Sequence, residues 1–281
     1  MLVLTFTLLA FIKPVPLSAR RAAALAAAVF AISATASAAP PPKAVSATTP
    51  APVNVFGPGG PAPAMKAAAT AFTAKTGIAV NVTAGPAPQW MDAALVNADL
   101  VFSGSSNMMD AFRLRFGDVL DATTIEALYL RPSAILVRKG NPKGIAGARD
   151  LARADVSVMV VEGAGQVGLW EDVAARTGDL RLLNALRDRI TIYAPNSGAA
   201  LQAWRSQPEL DAWLIWEHWQ RVIPDLADVV AVEPDLRIFR PMEVALTMRG
   251  AANPGTMQFV AFLKSPQAQA IFEAAGWIDA P

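Results

Sequence analysis

Four times along the chain a short apolar, β-branched run gives way to a Gly, Ser or Asn turn and then to residues spaced for a helix: 53–65 (VNVFGPGGPAPAM), 100–112 (LVFSGSSNMMDAF), 156–170 (VSVMVVEGAGQVGLW) and 190–204 (ITIYAPNSGAALQAW). Alternation of this kind predicts parallel strands covered by helices. Each turn then presents free N–H groups and a positive helix-dipole end at the carboxyl edge of a sheet, where open α/β folds bind ligands. An anion is the natural guest. The pattern reads first as strands at 53–56, 78–83 and 99–102 with helices at 62–75, 89–97 and 107–116, then as a long extended run at 127–138. It starts again with strands at 156–161, 190–193 and 212–216 and helices at 169–176 and 198–204. An extended return over 228–248 and helices at 254–263 and 266–275 close it. The expected fold is α/β and two-lobed, each lobe a mainly parallel sheet flanked by helices, with two extended hinge crossings. Lobe 1 is 53–137 with 240–281 and lobe 2 is 138–239, and a ligand would sit in the cleft between them.

The segment before this pattern reads as export machinery. Ser18-Ala-Arg20-Arg21 is a positive stretch, 22–32 an apolar core and Ala36-Ser37-Ala38 a cleavage site, giving a signal peptide over 1–38. The apolar core is shorter than the roughly twenty residues of a membrane span. Residues 39–52 (APPPKAVSATTPAP) are a Pro-, Ala- and Thr-rich tether. The chain has no cysteine, which removes disulfides, thiolate metal sites, Cys nucleophiles and a lipid-modified Cys anchor. An exported chain without an anchor is expected in a periplasm, with no membrane contact after cleavage. Lys13, Arg20 and Arg21 have no acidic counterpart, so the overall +1 becomes −2 beyond residue 38. That balance argues against a nucleic-acid or anionic-membrane partner.

The motifs VNVFGPGGPAPAMK, KTGIAVNVTAGPAPQW, ADLVFSGSSNMM, LYLRPSAILVRKGNP, VVEGAG, GLWEDVAARTGD, APNSGAA and DAWLIW resemble the accessory colonization factor C group of periplasmic solute-binding proteins, over nearly all of 53–277. More broadly they are similar to sulfate- and molybdate-binding proteins of ABC transporters, whose closing pattern matches SPQAQAIFEAAGW. The resemblance implies a type II periplasmic binding fold, an oxyanion-like ligand and an ABC permease as partner. It also implies a monomer.

Candidate ligand-binding residues come from the turns. Gly59 and Gly60 permit close backbone approach, and their amides suit a ligand oxygen. In Ser103-Gly-Ser105-Ser106, Ser105 or Ser106 serves as the helix cap while Ser103 faces the ligand. Gly163, Gly165, Asn196, Ser197 and Gly198 are the second-lobe counterparts, with Ser197 also reading as a helix cap. Arg131, in an apolar run before Pro132, must point into a cleft or meet a carboxylate such as Glu162 or Glu217. Arg240 shares that ambiguity. Trp90 and Trp216 are candidate cleft walls, and Trp213 reads as core.

Catalysis and metal chemistry find little support. His218, the only histidine, stands beside Glu217 and reads as a surface or hinge residue rather than a ligand. No Ser-His-acid set or Gly-x-Ser-x-Gly elbow is present. No catalytic residue, metal or cofactor is therefore expected. The leading expectation is a periplasmic receptor for a sulfate-like tetrahedral anion serving an ABC importer. Its rivals are an organic carboxylate or amino acid receptor and a ligand-sensing colonization or chemotaxis accessory protein without transport.

Overall fold

The computed structural model describes residues 51–279. The signal peptide expected at 1–38, and the tether as far as residue 50, lie outside the described residues. In chain order the elements are β1 (Val53–Gly57), α1 (Ala62–Thr76), β2 (Val80–Ala84), α2 (Met91–Asn97), β3 (Leu100–Phe102), α3 (Ser106–Phe116), β4 (Glu126–Arg138) and β5 (Val158–Val161). They continue with α4 (Leu169–Ala175), α5 (Leu180–Arg187), β6 (Ile190–Ala194), α6 (Ser197–Ser206), β7 (Ala212–Trp216) and β8 (Ala227–Ala231). The last are β9 (Phe239–Leu246), α7 (Met248–Ala251), α8 (Pro254–Leu263), α9 (Pro266–Ala274) and β10 (Ile278–Asp279).

The strands follow one path, β2-β1-β3-β9-β4-β7-β5-β6, with β8 and β10 both paired to β4. Toward its ends the path is parallel: β1 pairs with β2 and β3, and β5 with β6 and β7. Strands β5 (VMVV) and β7 (AWLIW) are buried at every position, as expected where helices cover both faces. The centre is antiparallel. Strand β4 pairs with β9 and β10 along its first part and with β7 and β8 along its second. It therefore belongs to both halves of the sheet, and the changeover falls where Pro132 stands opposite Phe239 on β9 and Ser133 opposite Trp216 on β7. The chain returns through residues 232–238 into β9. This is the type II periplasmic binding fold, an α/β sheet flanked by helices.

Each half has its own core. Met65, Ala68 and Phe72 on α1 pack with Phe102, Phe259, Phe272 and Trp277, whereas Trp204, Trp213, Ile215 and Trp216 centre the other cluster. Helix α1 ends at Gly77, whose φ of 75° lets its amide reach the Thr73 carbonyl. Asn253 and Ser265 cap α8 and α9, and a proline follows each cap. Those helices return to α1, and Tyr129 of β4 fastens them: its ring stacks 4.0 Å from Phe272 and its hydroxyl donates to the Leu263 carbonyl at 2.6 Å. Burial first, then Asp279 and Glu273, push the Tyr129 phenol up to about 12. Helix α5 is an addition to the expected elements, started by the Asp179 carboxylate accepting from the Arg181 and Leu182 amides. No helix among the described residues is long and apolar enough to cross a membrane.

Gly250 in α7 lies so near the Asp99 backbone that an added β-carbon would land on the Asp99 carbonyl. Asp99 cannot retreat, because it is fully buried and its carboxylate accepts from the Asn54 amide at 2.8 Å. Gly250→Ala is expected to destabilise the protein by about 1–3 kcal/mol, read as a lower midpoint in urea unfolding. An unchanged midpoint would show that this contact is not a constraint.

Candidate functional site

The turns that follow β1, β3, β5 and β6 meet around one cavity of about 730 Å³. Gly59 and Gly60 line it from the first turn, Gly104, Asn107 and Met108 from the second, Gly165 and Gln166 from the third, and Asn196, Ser197 and Gly198 from the fourth. Pro86, Trp90, Phe112 and Trp219 supply much of the apolar wall. Arg131 joins them from β4, at the strand's changeover between the two halves.

Arg131 is 2% exposed. Its guanidinium lies 4.5 Å from the Trp216 ring and 5.5 Å from that of Trp277. Nη2 donates to the Gly104 carbonyl and, at 3.4 Å, to that of Gly165, so a single nitrogen links turns from opposite halves. Nε has no protein partner. Among the described residues no carboxylate lies within ion-pair distance of it. The residue directly opposite on β9 is Arg240, 5.6 Å from the same Trp216 ring. Arg240 is satisfied: it meets Asp172 at 2.6 Å and donates to the Gly165 and Val167 carbonyls. Arg131 is left as the uncompensated member of the pair. Burial first, then Arg240, hold its pKa well below the ordinary arginine value. A buried cation without a counter-charge is costly, and an anion entering the cavity would relieve it.

The glycines allow this approach. A β-carbon on Gly165 would stand 2.5 Å from Arg131 Nη2, and one on Gly104 would stand 3.1 Å from it. At Gly163 a β-carbon would land on the Pro195 carbonyl, so its absence lets the turns after β5 and β6 pack together. Deeper lies His218, 3% exposed, its ring 5.2 Å from that of Trp277. Neither ring nitrogen has a protein partner. Burial first, then Arg131, hold the imidazole pKa well below its usual value. Among the described residues there is no group of three or more side chains able to hold a metal.

With the geometry in hand, comparison with known proteins is informative. The model for bacterial extracellular solute-binding proteins matches residues 53–278. The chain belongs to that family. PEB3 of Campylobacter jejuni is 38% identical, covering 81% of this chain and 100% of PEB3, with a TM-score of 0.75. PEB3 bound to L-phospholactate gives 0.76 with the same identity and coverage. The sulfate-binding protein SubI of Mycobacterium tuberculosis (19% identity, 82% of this chain, 87% of SubI, TM-score 0.66) shares the fold. So does the periplasmic molybdate-binding protein of Azotobacter vinelandii (18% identity, 82% of this chain, 100% of that protein, TM-score 0.61). No curated protein matches the chain.

In this solute-binding protein the expected site residues fall into two sets. Gly59, Gly60, Trp90, Arg131, Gly165, Asn196, Ser197 and Gly198 line the cavity. Ser103, Ser105, Ser106, Gly163 and Trp216 do not. Ser105 caps α3 by accepting from the Met108 amide at 3.3 Å. Ser106 donates to Glu243 Oε1 at 2.7 Å, a carboxylate whose pKa burial raises. Ser103, fully buried, leaves its hydroxyl without a protein partner beside Gly104. Trp216 is fully buried and supports Arg131 from below through its ring face. The cap of α6 is Asn196, accepting from the Ala199 amide, while Ser197 Oγ accepts from Gln166 Nε2 at 2.9 Å. Glu162, one of the carboxylates considered for Arg131, accepts from Trp170 Nε1 instead. His218 is buried rather than on the surface. Gly104 and Gln166 are cavity residues that sequence reasoning did not single out, although they sit inside turns it had identified, and Trp219, one of the tryptophans expected near the cleft, lines the cavity as well.

Because nothing balances the charge of Arg131, replacing it by an apolar side chain of similar length removes a desolvation penalty along with its carbonyl bonds. Arg131→Met is expected to leave the ligand-free protein at least as stable as wild type in urea. A loss of more than about 1 kcal/mol would show that the bonds to Gly104 and Gly165 outweigh the burial cost.

Proposed function

We propose that this chain is a periplasmic receptor for a small organic anion that combines a tetrahedral oxyanion with a carbon body, a phosphorylated carboxylic acid being the leading class, and that it delivers this ligand to an ABC importer. The observation that carries the reading is the buried, uncompensated guanidinium of Arg131 on a cavity lined by four strand-to-helix turns. Turn amides and a planar guanidinium fork suit an anion's oxygens. Size and lining favour an organic body: about 730 Å³ falls within the roughly 300–1,000 Å³ of small-molecule pockets, and Trp90, Met108 and Phe112 can cover carbon. The L-phospholactate named for PEB3, at 38% identity, supports the same class. Solute-binding proteins bind their ligands without turning them over, which agrees with the lack of a catalytic set in the sequence.

A second reading, a bare oxyanion such as sulfate, is favoured by the neutral donors of the glycine and serine turns. It leaves the apolar wall unused. A thermal-shift series separates the two. L-phospholactate is expected to raise the Tm of the mature protein, by an amount corresponding to about 2.7 kcal/mol at a hundredfold excess over Kd, with a smaller shift for sulfate. The shift should vanish in Arg131→Met. If phosphorylated carboxylates, sulfate and plain carboxylates all leave Tm unchanged, the anion-receptor reading fails.

A further inference from the structure

We propose that His218, which lies beneath the cavity lining next to Gly60 and Arg131, is a second basic group of the site, one that takes up a proton as a doubly negative group enters and so selects dianionic head groups over singly charged carboxylates. This rests on the anion-receptor reading above. Its basis is the position of the ring. A β-carbon built on Gly60, a cavity residue, would stand 3.5 Å from His218 Nε2 and equally 3.5 Å from Arg131 Nη1. The two nitrogens thus flank the same face of the glycine turn that precedes α1. The imidazole is confined there by the Trp277 and Trp219 rings, 5.2 and 5.7 Å away, and by the Gly276 backbone packed against its own Cα.

The surroundings decide the protonation state. Arg131 on β4 is the charge that acts on the ring, and Arg240 on β9 acts in turn on Arg131. Strand β8, also packed on the turn that carries His218, offers Asp228, but Lys139 Nζ and the Gly140 amide hold that carboxylate. The glycine turn before α1 and the Gly276-Trp277 segment bring no charge, while Glu217 and Arg221 flank the ring's own turn. An imidazolium next to an uncompensated guanidinium is therefore disfavoured in the empty protein. A monoanion matches Arg131 and leaves His218 neutral. A doubly negative head group leaves one buried negative charge over, and protonating His218 cancels it; the separate carboxylate of a phosphorylated acid is left to the neutral donors of the turns. The proton comes from solvent, or from the ligand itself when its phosphate arrives singly protonated.

Because His218 is the only histidine in the chain, NMR of histidine-labelled mature protein carrying a histidine-free tag reads this one ring. Without ligand the imidazole should stay neutral at pH 7 and as the pH falls through the ordinary imidazole range. L-phospholactate or sulfate at pH 7 should convert it to imidazolium, and L-lactate should not. Calorimetry in two buffers of different ionisation heat should give about one more proton taken up per L-phospholactate bound by wild type than by His218→Gln, with affinity lowered about tenfold or more in the variant. Should His218→Gln fail to fold, the wild-type ring signal decides alone. Binding of L-phospholactate or sulfate to wild type with the ring still neutral overturns the role of His218 and leaves the receptor reading intact. Failure of wild type to bind any of the three probes overturns both.

Discussion

A guanidinium buried with no carboxylate to answer it is the constraint around which this molecule is arranged. Protein interiors tolerate such a charge only when polar groups surround it or when the counter-charge arrives from outside. Around Arg131 the polar groups are few: two carbonyls share one nitrogen, and two indole faces lie beside the plane. The neighbouring Arg240 shows the alternative, since Asp172 gives it a counter-charge and two carbonyls accept from its Nη1. The proposed role of Arg131 in holding an anion rests on this difference between the two.

The fold delivers that group to the right place. Strand β4 spans 13 residues, long enough to pair with β9 in one half and β7 in the other, and Arg131 sits at the changeover. A side chain there can reach turns from both halves at once. The Gly104 and Gly165 carbonyls that it bridges belong to the turns after β3 and β5, and a β-carbon would crowd Nη2 closely at Gly165 and mildly at Gly104. The bridge runs through one nitrogen and is built from neutral acceptors. An anion's oxygens would compete with those carbonyls on better terms, since charged acceptors form stronger bonds than neutral ones, so under the proposed function ligand binding and the joining of the two halves would draw on the same guanidinium.

Much of this was legible in the sequence, because apolar strands and the turns that end them are local signals. All four strand-to-helix junctions are present, and the turns bearing Gly60, Gly165 and Asn196 line one cavity. Arg131 stood out for a local reason as well: a charge in an apolar run before Pro132. What was not legible depends on distant partners. Ser105 and Ser106 were equal candidates for the α3 cap, and the partner that sets them apart, Glu243 accepting from Ser106, lies far along the chain. His218 read as a surface or hinge residue because its cover comes from Trp277 near the C-terminus and from the glycine turn near the start of the fold. Whether Asn196 or Ser197 caps α6 is likewise set by Gln166, which occupies the serine hydroxyl.

A second arginine on the same strand shows how a structural guanidinium differs from one held for a ligand. Arg138 also packs on an indole, 3.8 Å from Trp204, and burial lowers its pKa. Yet every one of its nitrogens is used: Nε donates to Leu210 at 2.7 Å, Nη1 to Trp204 at 2.8 Å and Nη2 to Gln207 at 2.5 Å. Those carbonyls belong to the last turn of α6 and the chain just beyond it, where the helix dipole presents negative charge, and Asp211 and Glu209 add to it. Arg138 therefore completes a helix end and leaves none of its three nitrogens without a protein partner. Arg131 has bound carbonyls through one nitrogen, keeps Nε without a partner, and turns Nη1 toward Gly60 on the cavity wall. Burial and aromatic stacking are common to both, so neither identifies a binding arginine; the donors left unused, and the space they face, do.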